Sequence, residues 1–327
     1  MVNTLPILGA QPTTAEQAST TASKDKLNPR TIPEDAYPGL NWKWRELWNT
    51  HGSQVTRPDE VTIAEFRRDP AKYTFSYATQ SGPDVPKVDL MGIPVTNPPG
   101  SILMHVYTPA GPGPFPVHLN FHGGGGVESD LDTERAWCRY MCNAVGIIIF
   151  DVAYRKAPQC PFPTAIHDCW AAVQWVCRDG AQANADPQRM SFGGLGAGGH
   201  IAAVLAHFAR DEGVPVKLQL LVVPAVDLRH CHRRIQRLDK KNCPYPSARA
   251  LQDAPWGPLS REQWYLKQWL GDDDAAQDQA LASWLMTPLL APSFANLAPA
   301  HVVTAEFDMG RDAGRPTRAS CGRPGTG

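Results

Sequence analysis

Five of the seven residues at positions 193–199 are glycine, in the order Gly-Gly-Leu-Gly-Ala-Gly-Gly. Residues 189–192 before the run read as a short strand, and residues 200–210 after it read as a helix. Glycine tolerates backbone conformations and close approaches that a side chain forbids. The run therefore predicts a tight turn that drives a strand straight into a helix, with the two backbones packed close together. The rest of the chain repeats that alternation. Residues 88–94 and 101–108 alternate as strands do, with a Pro/Gly-rich turn between them. Residues 117–121, 144–152, 218–223 and 299–307 are further strands, and 132–143 and 164–178 are helical stretches. The 144–152 strand is nearly all apolar, which suits a parallel sheet covered on both faces. The pattern predicts an α/β fold with a mostly parallel sheet flanked by helices and joined by right-handed crossovers.

The flanks of this core differ in composition. Residues 1–30 are rich in Thr, Ala, Ser and Gln without periodicity and are expected to be a disordered leader. Residues 31–84 hold two short amphipathic helices, at 41–48 and 62–68, and are expected to form an N-terminal helical cap segment. Trp42, Trp44 and Trp48 read as packing within that cap, with the roof of an acyl pocket as the alternative. The core then covers 85–313, with residues 225–290 expected as a cap insertion that includes a helix near 260–270. Residues 314–327 lack apolar periodicity and are expected to be an unstructured tail.

Charge and cysteine content exclude several classes. Lys and Arg number 31 against 32 Asp and Glu, so the net charge of −1 excludes a strongly basic nucleic-acid surface and an acidic disordered chain. No apolar run reaches the length of a membrane span, and no signal peptide is visible, so a cytoplasmic location is expected. The eight cysteines contain no C-x-x-C pair and read as free thiols. His230, Cys231 and His232 are adjacent, but neighbouring side chains diverge, and no metal or other cofactor is expected.

Four blocks carry chemistry. His122 is followed by four glycines at 123–126 at the end of a strand, where N–H groups can face a cleft and receive an anion. Tyr154, Arg155 and Asp168 follow the next strand, and they read as buried hydrogen bonds and a helix start. Gly194 and Gly198 stand two before and two after Gly196, the frame of a nucleophile elbow, G-x-S-x-G. Asp308 ends the last strand, in the context Ala-Glu-Phe-Asp, followed by Arg311 and Asp312. Together and in this order the blocks resemble the hormone-sensitive-lipase-type branch of the α/β-hydrolase family, over about residues 85–312. The resemblance implies an α/β-hydrolase fold with a helical cap and a carboxylic ester hydrolase acting through an acyl-enzyme. It implies an oxyanion hole from the N–H groups of Gly124, Gly125 and Ala197, with Asp308 as the acid of a triad.

Two departures stand out. The elbow centre is Gly196 where the family has its serine, and no other G-x-S-x-G occurs; Ser191 and Ser129 lie near the motifs but not at the elbow. The family's histidine follows the acid after one more strand, whereas the last histidine here is His301, before Asp308. The expectation is a core that stops one strand and helix early, with a tail like an out-of-frame reading. The chain is then a hydrolase-family protein without activity. The alternatives are a non-catalytic receptor for a small ester or apolar ligand, or the non-functional product of a frame-shifted gene. Plant gibberellin receptors resemble this branch and lack the triad histidine, which is why a receptor is among them.

Overall fold

The structure is a computed structural model and describes residues 30–75 and 81–320. The leader expected at 1–30 therefore lies, apart from Arg30, outside the described residues. The chain opens with α1 (Trp42–Thr50), capped by the Asn41 side chain, and α2 (Ile63–Arg68), where Thr62 and Glu65 form a reciprocal capping box. The sheet is built from β1 (Lys87–Thr96), β2 (Pro99–Thr108), β3 (Phe115–Phe121), β4 (Ile148–Ala153), β5 (Ala185–Leu195), β6 (Val216–Val222) and β7 (Ala300–Val303). Around it lie α3 (Arg135–Val145), α4 (Thr164–Asp179), α5 (Ala197–Asp211), α6 (Pro246–Leu251), α7 (Leu259–Leu270), α8 (Asp274–Ala282) and α9 (Arg311–Ser320).

The strand order is β1-β2-β4-β3-β5-β6-β7. β1 and β2 are antiparallel, β2 meets β4 antiparallel, and every pair from β4 to β7 is parallel. This is an α/β-hydrolase fold with a mixed, mostly parallel sheet flanked by helices. The central strands β3 and β4 are buried along almost their whole length, as the nearly all-apolar run of β4 predicts, while β3 also buries His118 and Asn120. Their side chains join those of α4 and α5 in the main core, with Leu119, Phe150, Val173 and Ile201 fully buried.

A second apolar cluster sits above the carboxyl edge of the sheet. It unites Phe66 of α2 with Leu259, Trp264, Leu266 and Trp269 of α7 and with Met286. Phe66 meets Trp264 edge-on at 5.5 Å, Trp44 meets Trp256 at 5.2 Å, and the Ser260 hydroxyl donates to Asp59 at 2.7 Å. Trp48 is buried and stacks on Trp44, in line with the packing role, while Trp42 is exposed. The 225–290 region carries α6 and α8 besides the helix seen in the sequence.

The far end of the chain differs from expectation in two ways. The strand expected at 299–307 is only four residues long, and residues 304–310 turn across the sheet edge. The tail expected to be unstructured from 314 instead continues a helix, because residues 314–320 belong to α9. Its first turn is fixed by tertiary contacts rather than by periodicity. The Asp312 carboxylate accepts from the Ser247 N–H at 2.7 Å, the Asp312 N–H donates to the Ser247 hydroxyl at 3.1 Å, and Ala313 is buried in the main core. Residues 321–327 lie outside the described part. Among the described residues no helix is long and apolar enough to cross a membrane.

Candidate active site

The turn between β5 and α5 has the geometry of an elbow. Gly196 sits at φ 56°, ψ −108°, its N–H donates to the Val222 carbonyl at 2.9 Å, and its own carbonyl accepts from His200 at 2.9 Å. The glycines on either side are required by packing. A Cβ on Gly194 would lie 2.2 Å from the Phe121 carbonyl oxygen, and one on Gly198 only 1.7 Å from the same atom. Strand β3 thus passes directly under the turn, as the sequence pattern predicts. A Cβ on Gly196 meets nothing within 4 Å. The frame for a side chain at the elbow is complete and the space above it is open.

The glycine loop after β3 lies beside the elbow. Gly124 and Gly125 have φ of 100° and 56°, so the loop folds back on itself. Three side chains hold it. Glu134 accepts from the Gly123 N–H at 2.8 Å, the Tyr154 hydroxyl donates to the His122 carbonyl at 2.8 Å, and the His122 Nδ1–H donates to the Gly123 carbonyl at 2.8 Å. Burial pushes the His122 imidazole down to about 4, so the ring is neutral at pH 7, stacked 4.2 Å from Tyr154. The loop and the elbow enclose a cavity of about 300 Å³ whose lining includes Gly124, Gly125, Gly196, Ala197 and Asp308. All five residues singled out from the sequence therefore meet in one place. Ala197 opens the 15-residue α5, so the first N–H groups of that helix lack intrahelical acceptors and carry the positive end of its dipole.

Asp308 reaches the cavity from the turn after β7. Its carboxylate accepts from the Gly310 N–H at 2.9 Å. Burial raises its pKa, partly offset by that hydrogen bond and by the Arg261 guanidinium. Among the described residues no histidine is bonded to it. His200 lines the cavity, but its Nδ1 and Nε2 face the carbonyls of Ala225 and Leu285 at 2.8 and 2.9 Å. His301 lies exposed on β7, the edge strand, paired in register with Leu220. Ser191 is engaged within the sheet by His118 and by the Val117 carbonyl, remote from any nucleophilic role. His230 packs edge-on to Tyr245, while the His232 Nδ1 accepts from the Arg234 N–H, so the two imidazoles serve different neighbours. Asp168 binds the Arg155 guanidinium through both oxygens, at 2.9 and 2.6 Å, and accepts from the Arg155 N–H; this is the structural role read from the sequence.

The sequence places a helix near 260–270 in a cap insertion but does not single out the side chains it turns to the cavity. Arg261, Glu262, Tyr265 and Trp269 of α7 line the cavity opposite the elbow. Tyr265 and Trp269 sit over the glycine loop: a Cβ on Gly125 would strike the Tyr265 ring at 2.4 Å, and one on Gly126 the Trp269 indole. Their spacing of four residues on a helix was the available signal.

The elbow, the glycine loop and the acid from the turn after β7 meet at one cavity at the carboxyl edge of this sheet. Residues 118–323 match the alpha/beta hydrolase fold family. The chain is 35% identical to Esterase LipI of Mycobacterium tuberculosis over 70% of its own length and 68% of that protein. It is 34% identical to Carboxylic ester hydrolase LipN of the same organism, over 71% of its length and 59% of the relative. The thermostable carboxylesterase EstE1 from a metagenomic library is similar in structure, with a TM-score of 0.67 and 30% identity over 80% of this chain and 83% of that one. The chain belongs to the α/β-hydrolase fold family, in its hormone-sensitive-lipase-like branch of carboxylesterases and lipases. Its match spans between about three fifths and two thirds of the length of these two curated relatives.

Proposed function

We propose that this chain binds carboxylic esters in the cavity between elbow and glycine loop and does not turn them over. The observation that carries the reading is Gly196. It holds the elbow conformation, with the nucleophile's space open, but has no hydroxyl to form an acyl-enzyme. In this reading the ester carbonyl oxygen faces the N–H groups of Gly124, Gly125 and Ala197, which favour a partial negative charge. Asp308 stands in the position of the triad acid, with no imidazole among the described residues to orient. The remaining donors can polarise a bound ester, but nothing in the described site attacks it.

The test has two arms. Hydrolysis of p-nitrophenyl acetate and butyrate is expected to stay at the uncatalysed rate across pH 6–9. Ethyl acetate or butyrate esters are expected to raise the melting temperature saturably. Turnover, or a stoichiometric burst of p-nitrophenol, overturns the catalytic silence; absence of any saturable shift overturns the binding.

A further inference from the structure

Glu134 stands one residue before α3, yet its side chain makes no capping hydrogen bond to that helix. It turns to the glycine loop instead. Its Oε1 accepts from the Gly123 N–H at 2.8 Å, and its Oε2 accepts from the Asn120 side-chain amide at 3.0 Å. The same amide nitrogen donates to Asp151 Oδ1 at 2.8 Å. Two carboxyls thus share one amide, and among the described residues no cation is paired with either. Glu134 receives two donors and lies at the positive end of the α3 dipole, whereas Asp151 is fully buried with its Oδ2 unpartnered. The negative charge of the pair therefore settles on Glu134, against the loop.

The loop beyond Gly123 is a series of fixed peptide planes, all of them trans. In a trans peptide the C=O and the N–H point in opposite directions. In the first plane the Tyr154 hydroxyl holds the His122 carbonyl and Glu134 holds the Gly123 N–H. In the second, the His122 Nδ1–H holds the Gly123 carbonyl, which turns the Gly124 N–H the other way. In the third, the Gly124 carbonyl accepts from the N–H groups of Val127 and Glu128, both at 3.0 Å, which does the same for the Gly125 N–H. Among the described residues no backbone acceptor meets either of these two N–H groups. Glycines have wide backbone freedom, so the bonds around the loop, not its own residues, set these planes.

From this geometry we infer that Glu134 is the positioning residue of the glycine loop: its charged hydrogen bond to the Gly123 N–H locks the first plane, and the planes that follow aim the N–H groups of Gly124 and Gly125 at the carbonyl oxygen of the bound ester. The inference rests on the proposed ester-binding reading. Glu134 does not itself line the cavity and acts only through the loop.

The first measurement is a titration with ethyl butyrate of the parent chain and of Glu134→Gln, Glu134→Ala and Asp168→Ala. Glutamine keeps the size and an acceptor oxygen but gives up the charge, so it is the variant that spares the fold. Affinity is expected to fall about three-fold in Glu134→Gln and about ten-fold in Glu134→Ala, the scale of one charge-assisted hydrogen bond. Asp168→Ala breaks an ion pair with Arg155 and should lower the melting temperature while leaving affinity unchanged. The second measurement is the amide NMR signal of Gly123. Labelling histidine carbonyls and glycine nitrogens together selects the two His-Gly pairs of the chain, His51–Gly52 and His122–Gly123. The Gly123 proton is expected to move upfield in Glu134→Gln while that of Gly52 stays. If the Glu134 variants bind ethyl butyrate as tightly as the parent, or Asp168→Ala weakens it as much as they do, the positioning inference falls and ester binding stands. A Gly123 signal that does not move in Glu134→Gln also overturns it. If the parent does not bind ethyl butyrate, the ester reading falls, and a Gly123 signal that moves still supports Glu134 as the anchor of the loop.

Discussion

Replacing Gly196 with serine places a hydroxyl at the elbow and tests its geometry in one step. At φ 56°, ψ −108° the residue lies where side-chain-bearing residues are strained, by about 1–3 kcal/mol. A Cβ there meets nothing within 4 Å, so no steric clash adds to the strain. Serine also restricts the unfolded chain more than glycine does, which returns about 0.4–1 kcal/mol. The net expectation for Gly196→Ser is a loss of about 1–2 kcal/mol, or a fall in Tm of roughly 2–6 °C for a domain of this size. Urea midpoints and calorimetry measure it. Gly198→Ala sets the scale, because its Cβ would penetrate the Phe121 carbonyl and the cost should exceed about 4 kcal/mol. The serine variant is also expected to leave p-nitrophenyl ester hydrolysis at background. The cavity's His200 holds both ring nitrogens against carbonyl oxygens and is not poised to take a proton from residue 196. A variant as stable as the parent refutes the strain argument. A burst of p-nitrophenol refutes the argument about the base.

Other perturbations probe the groups that hold the site. Burial pushes the Asp151 carboxyl up to about 8, and its Oδ2 lacks a partner while Oδ1 accepts from Asn120 at 2.8 Å. A raised carboxyl favours folding below its unfolded pKa, and that support is lost as pH rises towards 8. Asp151→Asn should therefore stabilise progressively more between pH 5 and pH 8, by an order of a few kcal/mol, read as a growing difference in urea midpoint. A constant difference refutes it. His118 and His122 are both pushed down to about 4 by burial, so the unfolded chain takes up protons first as pH falls below about 6.5. In the Asp151→Asn background, where one opposing carboxyl is gone while those of Glu134, Glu262 and Asp308 remain, stability should fall from pH 6.5 to pH 4 by at most about 3 kcal/mol per ring. A midpoint that stays flat over that range counts against buried neutral imidazoles. Asp168→Ala leaves the Arg155 guanidinium without its bidentate partner and should cost about 3 kcal/mol in chemical denaturation. A loss below 1 kcal/mol shows that the pair is not structural.

Legibility followed the range of the interactions. Strands β3 to β6, helices α4, α5 and α7, and the elbow are written in local patterns, apolar runs and glycine spacing, so they were readable. The short β7, the helix α9 and the roof over the cavity depend on contacts between distant segments, such as Ser247 with Asp312 and Gly126 with Trp269. Local spacing places Tyr265 and Trp269 on one face of a helix but does not say which segment that face covers. The glycines show the same divide most sharply. In the sequence Gly194, Gly196 and Gly198 look alike. In the fold, Gly194 and Gly198 are imposed by the Phe121 carbonyl, whereas Gly196 has free space and only a dihedral preference. The two outer positions are thus bound to the packing of β3, β5 and α5, and the central one is bound only to chemistry. A chain can exchange serine for glycine there without disturbing any neighbour and with relief of strain. The same packing that makes the elbow rigid therefore holds the cavity's shape independently of the residue at 196.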